Sequence, residues 1–172
     1  DALRLQLHSH INSLQFLKQA EFSIRTVDEA SQLASFIARA CPNAEMVVMG
    51  ISELLINAVE HGNLGLSYAE KSSLKRDDCW RPEIDRRAAL ATNIEKEVKL
   101  QFQRDERSIT LRVIDQGNGF DWQSFLEIEP ERAFDPNGRG IALARLLSFS
   151  TLIYEGGGNT AVATISLAEN NH

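Results

Sequence analysis

The chain has no apolar run approaching roughly eighteen residues, so no membrane-spanning helix of ordinary length is expected. It has only two cysteines, Cys41 and Cys79, far apart and without metal-ligand spacing. That excludes a disulfide framework and a zinc cluster, and it fits a reduced cytoplasm. Basic charge is scarce: 18 Lys and Arg stand against 24 Asp and Glu, for a net charge of −6. Such a balance argues against a nucleic-acid surface. No Gly-x-x-x-x-Gly-Lys-Ser/Thr occurs, so the chain is not a P-loop protein. No Gly-x-Gly-x-x-Gly follows an early strand, which excludes a dinucleotide fold. Signal peptide, internal repeat and low-complexity tract are all missing, so a soluble, cytoplasmic protein is expected. Because the first residue is Asp rather than Met, the chain is expected to be a domain cut from a longer protein.

What is present suits one compact core: 172 residues, 43% of them hydrophobic. The informative stretch is Ile51-Ser-Glu-Leu-Leu-Ile-Asn-Ala-Val-Glu-His-Gly-Asn63. Glu53, Asn57 and His61 recur every four residues, which on an α-helix places them along one face. The residues between them are mostly apolar, so the helix is expected in the core. A buried helix must give its polar side chains partners, and a ligand or metal is expected to supply some of them. The bland alternatives are a solvated helix face, or for His61 a simple cap before Gly62.

Two glycine-rich segments follow. In Ile109 to Phe120, the apolar alternation of Ile109, Leu111 and Val113 reads as a strand ending at Asp115. Gly117 and Gly119 then let the backbone approach something closely. An Asp so placed can accept a hydrogen bond from an exocyclic amine such as that of adenine; a plain turn or a calcium-like loop are the alternatives. In Pro136 to Arg145, Gly138 and Gly140 run into the helical stretch Ile141 to Leu147. Free amides and a helix dipole there make a phosphate site, unless the segment is an ordinary turn.

These three motifs, in this order, resemble the Bergerat-fold ATP-binding domains of the GHKL superfamily. The likeness is strongest to the anti-sigma factor serine/threonine kinases of bacterial partner switching. His61-Gly-Asn-Leu-Gly65 and Phe120-Asp-Trp122 look like the kinase modules fused to response-regulator phosphatases. The resemblance implies ATP and Mg²⁺ as cofactors and a fixed set of roles. Glu53 would be the general base for an acceptor hydroxyl, because a carboxylate there suits a Ser, Thr or water nucleophile. Asn57 would present its oxygen to Mg²⁺, and His61 would touch the phosphates or the lid. Asp115 would read the adenine amine, with Gly117 and Gly119 beside the ring. Gly138, Arg139, Gly140 and Ile141 would cradle the phosphates, Arg139 pairing with the γ-phosphate or remaining solvated. Either Thr160 or Thr164 would help hold the adenine. His8 and His10 lack the surroundings of a phosphoacceptor histidine.

The implied organisation is an N-terminal linker or helix (1–19), an ATP-binding kinase domain (20–168) and a short tail (169–172). Within the domain, 64–96 is a charge-rich insertion with a helix from about Pro82 to Leu90, docked by Trp80 and Ile84. Residues 121–137 are the expected ATP lid. The fold class is α+β: a two-layer sandwich with helices on one face of a mostly antiparallel sheet. Expected strands are 20–25, 98–102, 109–113, 152–155 and 161–167, and expected helices 27–40 and 141–148. The expected substrate is an anti-sigma-factor antagonist carrying an acceptor Ser. A sigma factor or a second copy of the chain is a further implied partner, and no nucleic acid or membrane is. Two other classes stay open: a non-catalytic partner-binding module, and an ATPase using water.

Overall fold

Five strands form one sheet in the order β1-β2-β3-β5-β4, with every neighbouring pair antiparallel. They are β1 (Gln19–Ile24), β2 (Val98–Arg104), β3 (Ser108–Ile114), β4 (Thr151–Glu155) and β5 (Thr160–Ser166). The computed structural model describes residues 1–123 and 140–167. The α+β, two-layer class is the one the sequence led us to expect, and the strand positions agree to within two residues.

Alternation decides which face of the sheet is dry. Val98, Leu100 and Phe102 of β2 and Ile109, Leu111 and Val113 of β3 are all buried. Phe102 pairs with Leu111 and Leu100 with Val113, so the two apolar sets share one face. Ala161, Ala163 and Ile165 extend that face through β5. The other face carries Gln101, Gln103, Thr110 and Arg112, with Gln101 hydrogen-bonded to Glu21 and Arg112 paired with Glu155.

Helices α2 (Val27–Ala38), α3 (Ala44–Asn57) and α6 (Gly140–Leu147) supply the second layer. Helix α2 begins at a capping box: Thr26 Oγ1 accepts from Glu29 N, and Glu29 Oε2 accepts from Thr26 N. Its Ala30, Leu33, Ala34 and Ile37 form the apolar stripe, and Ile51, Leu54 and Leu55 of α3 lie in the same core. Helix α1 (Ala2–Ser13) buries no residue and leaves Leu3, Leu5 and Leu7 exposed.

The charge-rich stretch 64–96 contains two helices, α4 (Tyr68–Arg76) and α5 (Trp80–Ala88). Only the second was expected, and Pro82 falls in its first turn, where the missing N–H leaves no bond unmade. The stretch is tied to the core through a buried carboxylate. Glu60 is fully buried, and it accepts from Lys71 Nζ and, at 2.8 Å, from Trp80 Nε1. Ile84 is buried, and Trp80 packs against the core. Arg87 closes the assembly, reaching Glu83, Glu70 and the carbonyl of Gly65. No described helix is long and apolar enough to cross a membrane.

Candidate functional site

Helix α3 does not simply end at Asn57. It continues as a π-helical turn, Ala58–Asn63, in which Leu64 N bonds to Val59 O five residues back. Such turns hold an extra residue and are frequent at functional sites. The three polar residues of the stripe do not all face one space: Asn57 and His61 line one cavity and Glu53 a neighbouring groove. Glu53 and Asn57 keep their i, i+4 relation, and Asn57 Nδ2 donates to Glu53 Oε1 at 3.0 Å. His61 lies past the change of pitch. Its Nδ1 donates to Leu66 O, and its ring stacks on Tyr68 with centroids 3.9 Å apart. Burial holds the His61 pKa below its ordinary value, against the opposing effect of the bond to Leu66 O.

Glu53 points at the start of α6. A Cβ built on Gly140 would lie 1.8 Å from Glu53 Oε1, so the carboxylate occupies the space in which any larger residue would stand. Asn57 is 8% exposed, and its Oδ1 is buried with no hydrogen-bond partner among the described residues. An orphaned amide oxygen beside a carboxylate suits a hard cation. Among the described residues no group of three His, Cys, Asp or Glu could hold a metal without further ligands. A cation beside Asn57 Oδ1 would need ligands beyond the described side chains.

Asp115 closes the other end of the site. Its Oδ1 accepts from Gly117 N at 2.8 Å, and the carboxyl rests against Gly62, where an added Cβ would come 2.3 Å from Asp115 Cγ. Burial pushes its pKa up to about 6, opposed by the Gly117 bond and by Lys96. Gly117 and Gly119 do permit close approach, but to the protein's own backbone. A Cβ on Gly117 would meet Gly62 O at 2.3 Å, and one on Gly119 (φ +80°) would meet Gly157 O at 1.9 Å. The turn between β4 and β5, which holds Gly156, Gly157 and Gly158, is thus fastened to the Asp115 loop. Phe120 N donates to Gly157 O and Asp115 N to Asn159 O, each at 3.0 Å.

Residues 86–165 match the family model of the histidine kinase-like ATPase domain. No curated protein matches the chain. The ATPase-domain match takes in β2 to β5, the Asp115 loop and α6. It leaves out Glu53, Asn57, His61 and α4. The helices on one face of an antiparallel sheet are consistent with a Bergerat-type ATPase fold, which suggests nucleotide-dependent chemistry of a general kind.

Between Asn57 and Asp115 lies a cavity of about 40 Å³, lined among others by Leu54, His61, Gly62, Gly119, Phe120 and Tyr154. Glu53 sits outside it, on a groove between α3 and α6 with Met49, Gly140, Leu143 and Leu147. Ile141 is 1% exposed, so its side chain belongs to the core. Gly138 and Arg139 lie outside the described residues, as does the expected lid from residue 124 onward. Neither Thr160 nor Thr164 lines the cavity. Thr164 pairs with Thr110, far along the sheet from Asp115.

Sequence reasoning missed the aromatic wall. Tyr154 packs edge-on to Phe120 and face-on to Trp122, at 5.3 and 5.7 Å between centroids. Tyr68 enters from α4. A capping box, Ser67-Tyr-Ala-Glu70, was the readable signal for that helix.

Proposed function

We propose that this chain is an ATP-dependent protein serine/threonine kinase of the anti-sigma factor type, acting on a small antagonist that carries one acceptor Ser. The observation that supports it most is the pairing of Glu53 with Gly140. A carboxylate held at the N-terminus of α6 stands where phosphate charge would collect, and next to the orphaned Asn57 Oδ1. In this reading Asp115 accepts from the adenine amine and the amides of Gly140 and Ile141 face the phosphates. Asn57 would offer one oxygen to Mg²⁺, which when bound would supply positive charge to offset that of the phosphates. Glu53 orients the acceptor hydroxyl and takes its proton as the phosphoryl group transfers. The exposed Met49, Leu143 and Leu147 give a protein acceptor an apolar surface beside that carboxylate. A sigma factor or other partner held by the same chain completes the partner-switching reading.

The test is incubation with labelled ATP, Mg²⁺ and the cognate antagonist. Wild type should label the antagonist, and Glu53→Ala should lower transfer by about 100-fold or more. Transfer surviving intact in Glu53→Ala would remove the general-base role. Phosphate release without antagonist would favour an ATPase using water. A second reading, a partner-binding module without catalysis, draws support from the small size of the cavity. Partner retention with no label transferred would favour it.

A further inference from the structure

We infer that Lys96 is a positioning residue for the base-reading carboxylate of Asp115, which it fastens through Asn63 and supports with its own positive charge. This rests on the proposed nucleotide role of the cavity between Asn57 and Asp115. It goes beyond that role, because Lys96 lies outside all three motifs and does not line the cavity.

Three hydrogen bonds tie the segments behind the Asp115 loop together. Lys96 Nζ donates to Asn63 O at 3.1 Å, and Gln116 N donates to Asn63 Oδ1 at 2.7 Å. Glu97 N then donates to Gln116 Oε1 at 2.6 Å, which brings the chain back to the neighbour of Lys96. Asn63 ends the π turn that carries Gly62, and Gln116 directly follows Asp115. The three bonds therefore hold both sides of the contact in which the Asp115 carboxyl rests on Gly62. Asn63 is 4% exposed, so little water can replace the Gln116 bond if it is lost. The backbone of Lys96 is itself held, its N–H bonding Asn93 O at 2.9 Å.

Charge makes the second argument. Lys96 stands between Glu95 and Glu97, yet both of those carboxylates pair with Arg25, at 3.8 and 3.5 Å. The half-buried Lys96 ammonium is left to the Asn63 carbonyl and to its attraction for Asp115. The other ionisable side chains around the cavity are His61 from the π turn, Tyr68 from α4 and Tyr154 from β4. Glu53 of α3 stands in the neighbouring groove, and burial holds the Tyr154 phenol above its ordinary value. Lys96 is the cation that acts on Asp115: with the Gly117 bond, it opposes the burial that pushes this pKa up to about 6. Removing its charge should push the carboxyl higher still. A protonated carboxyl is the weaker acceptor, so a base amine then loses a charge-assisted bond.

Calorimetric titration with Mg·ATP between pH 6 and pH 8 compares wild type, Lys96→Met and Lys96→Arg, with Lys96→Met also made in Asp115→Asn. The ratio of variant to parent affinity cancels the nucleotide's own titration. For a midpoint raised by about 1 pH unit, Lys96→Met should bind about twofold more weakly at pH 7 and about fivefold more weakly at pH 6. At pH 8 the two should nearly coincide. Lys96→Arg keeps the charge and should follow wild type. In Asp115→Asn the base reader has no proton to gain, so Lys96→Met should leave the ratio flat with pH; His61 is present in both backgrounds. A merely structural Lys96 would lower affinity evenly at every pH. Such an even loss, no loss, or the same pH-dependent loss in Asp115→Asn would overturn the inference while leaving the nucleotide site intact. No binding by wild type would overturn the nucleotide reading and this inference with it.

Discussion

The carboxylate of Glu53 occupies the space beside the α carbon of Gly140, so that an added methyl would come 1.8 Å from Oε1. The backbone of Gly140 has no positive φ, and Ala fits the helix there. Only Glu53 must move. Gly140→Ala should therefore fold normally but misplace the carboxylate, and a misplacement of about 1 Å costs on the order of 100-fold in rate. Transfer from labelled ATP to the antagonist, measured beside a melting curve, checks this. Unchanged transfer would show that the carboxylate position is immaterial.

Glu60 ties α4 and α5 to the body. Glu60→Ala strips Lys71, whose side chain is 12% exposed, of its counter-charge, and Trp80 of its acceptor. Removing one partner of a buried pair costs about 3–5 kcal/mol. For a domain of this size that corresponds to a fall in Tm of about 10 °C. Replacing both partners, as Glu60→Leu with Lys71→Leu, should recover much of the loss. Thermal scanning decides, and Trp80 emission should shift to the red in the single variant.

Asp115 makes stability depend on pH in a stated direction. Its pKa is raised to about 6, chiefly by burial, so the fold favours the protonated carboxyl. That preference contributes fully below the ordinary Asp value near 4 and is lost as pH climbs through about 6. Asp115→Asn carries no charge to desolvate. Its Tm relative to wild type should therefore rise between pH 5 and pH 8. A difference that stays flat or narrows over that range would contradict the assignment.

The two cysteines should differ sharply. Cys41 is buried and its thiol is pushed up to about 12, while Cys79 is exposed. Iodoacetamide on the folded chain should alkylate Cys79 alone, and both after unfolding. Mass spectrometry of the peptides reads the result directly.

Much of the frame could be read from residue order because each cue was local. Alternation in β2 and β3, the apolar stripe of α2 and the spacing of Glu53 with Asn57 all follow from the period of one element. His61 lines the cavity beside Asn57, but the π turn that carries it there changes the helical period without any composition signal. Glu60 escaped notice for a related reason: its partners, Lys71 and Trp80, come from helices that a charge-rich stretch disguises. Gly117 and Gly119 were read as making room for something, and what fills the room is Gly62 and Gly157, on segments distant in sequence. Tyr68 and Tyr154 belong to no motif, and only the folded chain brings them to Asp115.

Titration calorimetry of the intact chain with Mg·ATP tests the central claim most directly, namely that Asn57 and Asp115 border one nucleotide pocket. The account predicts saturable binding, weakened about tenfold or more by Asp115→Ala, since a hydrogen bond to a charged partner is lost. It predicts that Glu53→Ala, which removes a group outside the base cavity, stays within about threefold of wild type. Absence of binding by the wild-type chain, or undiminished binding by Asp115→Ala, would contradict it.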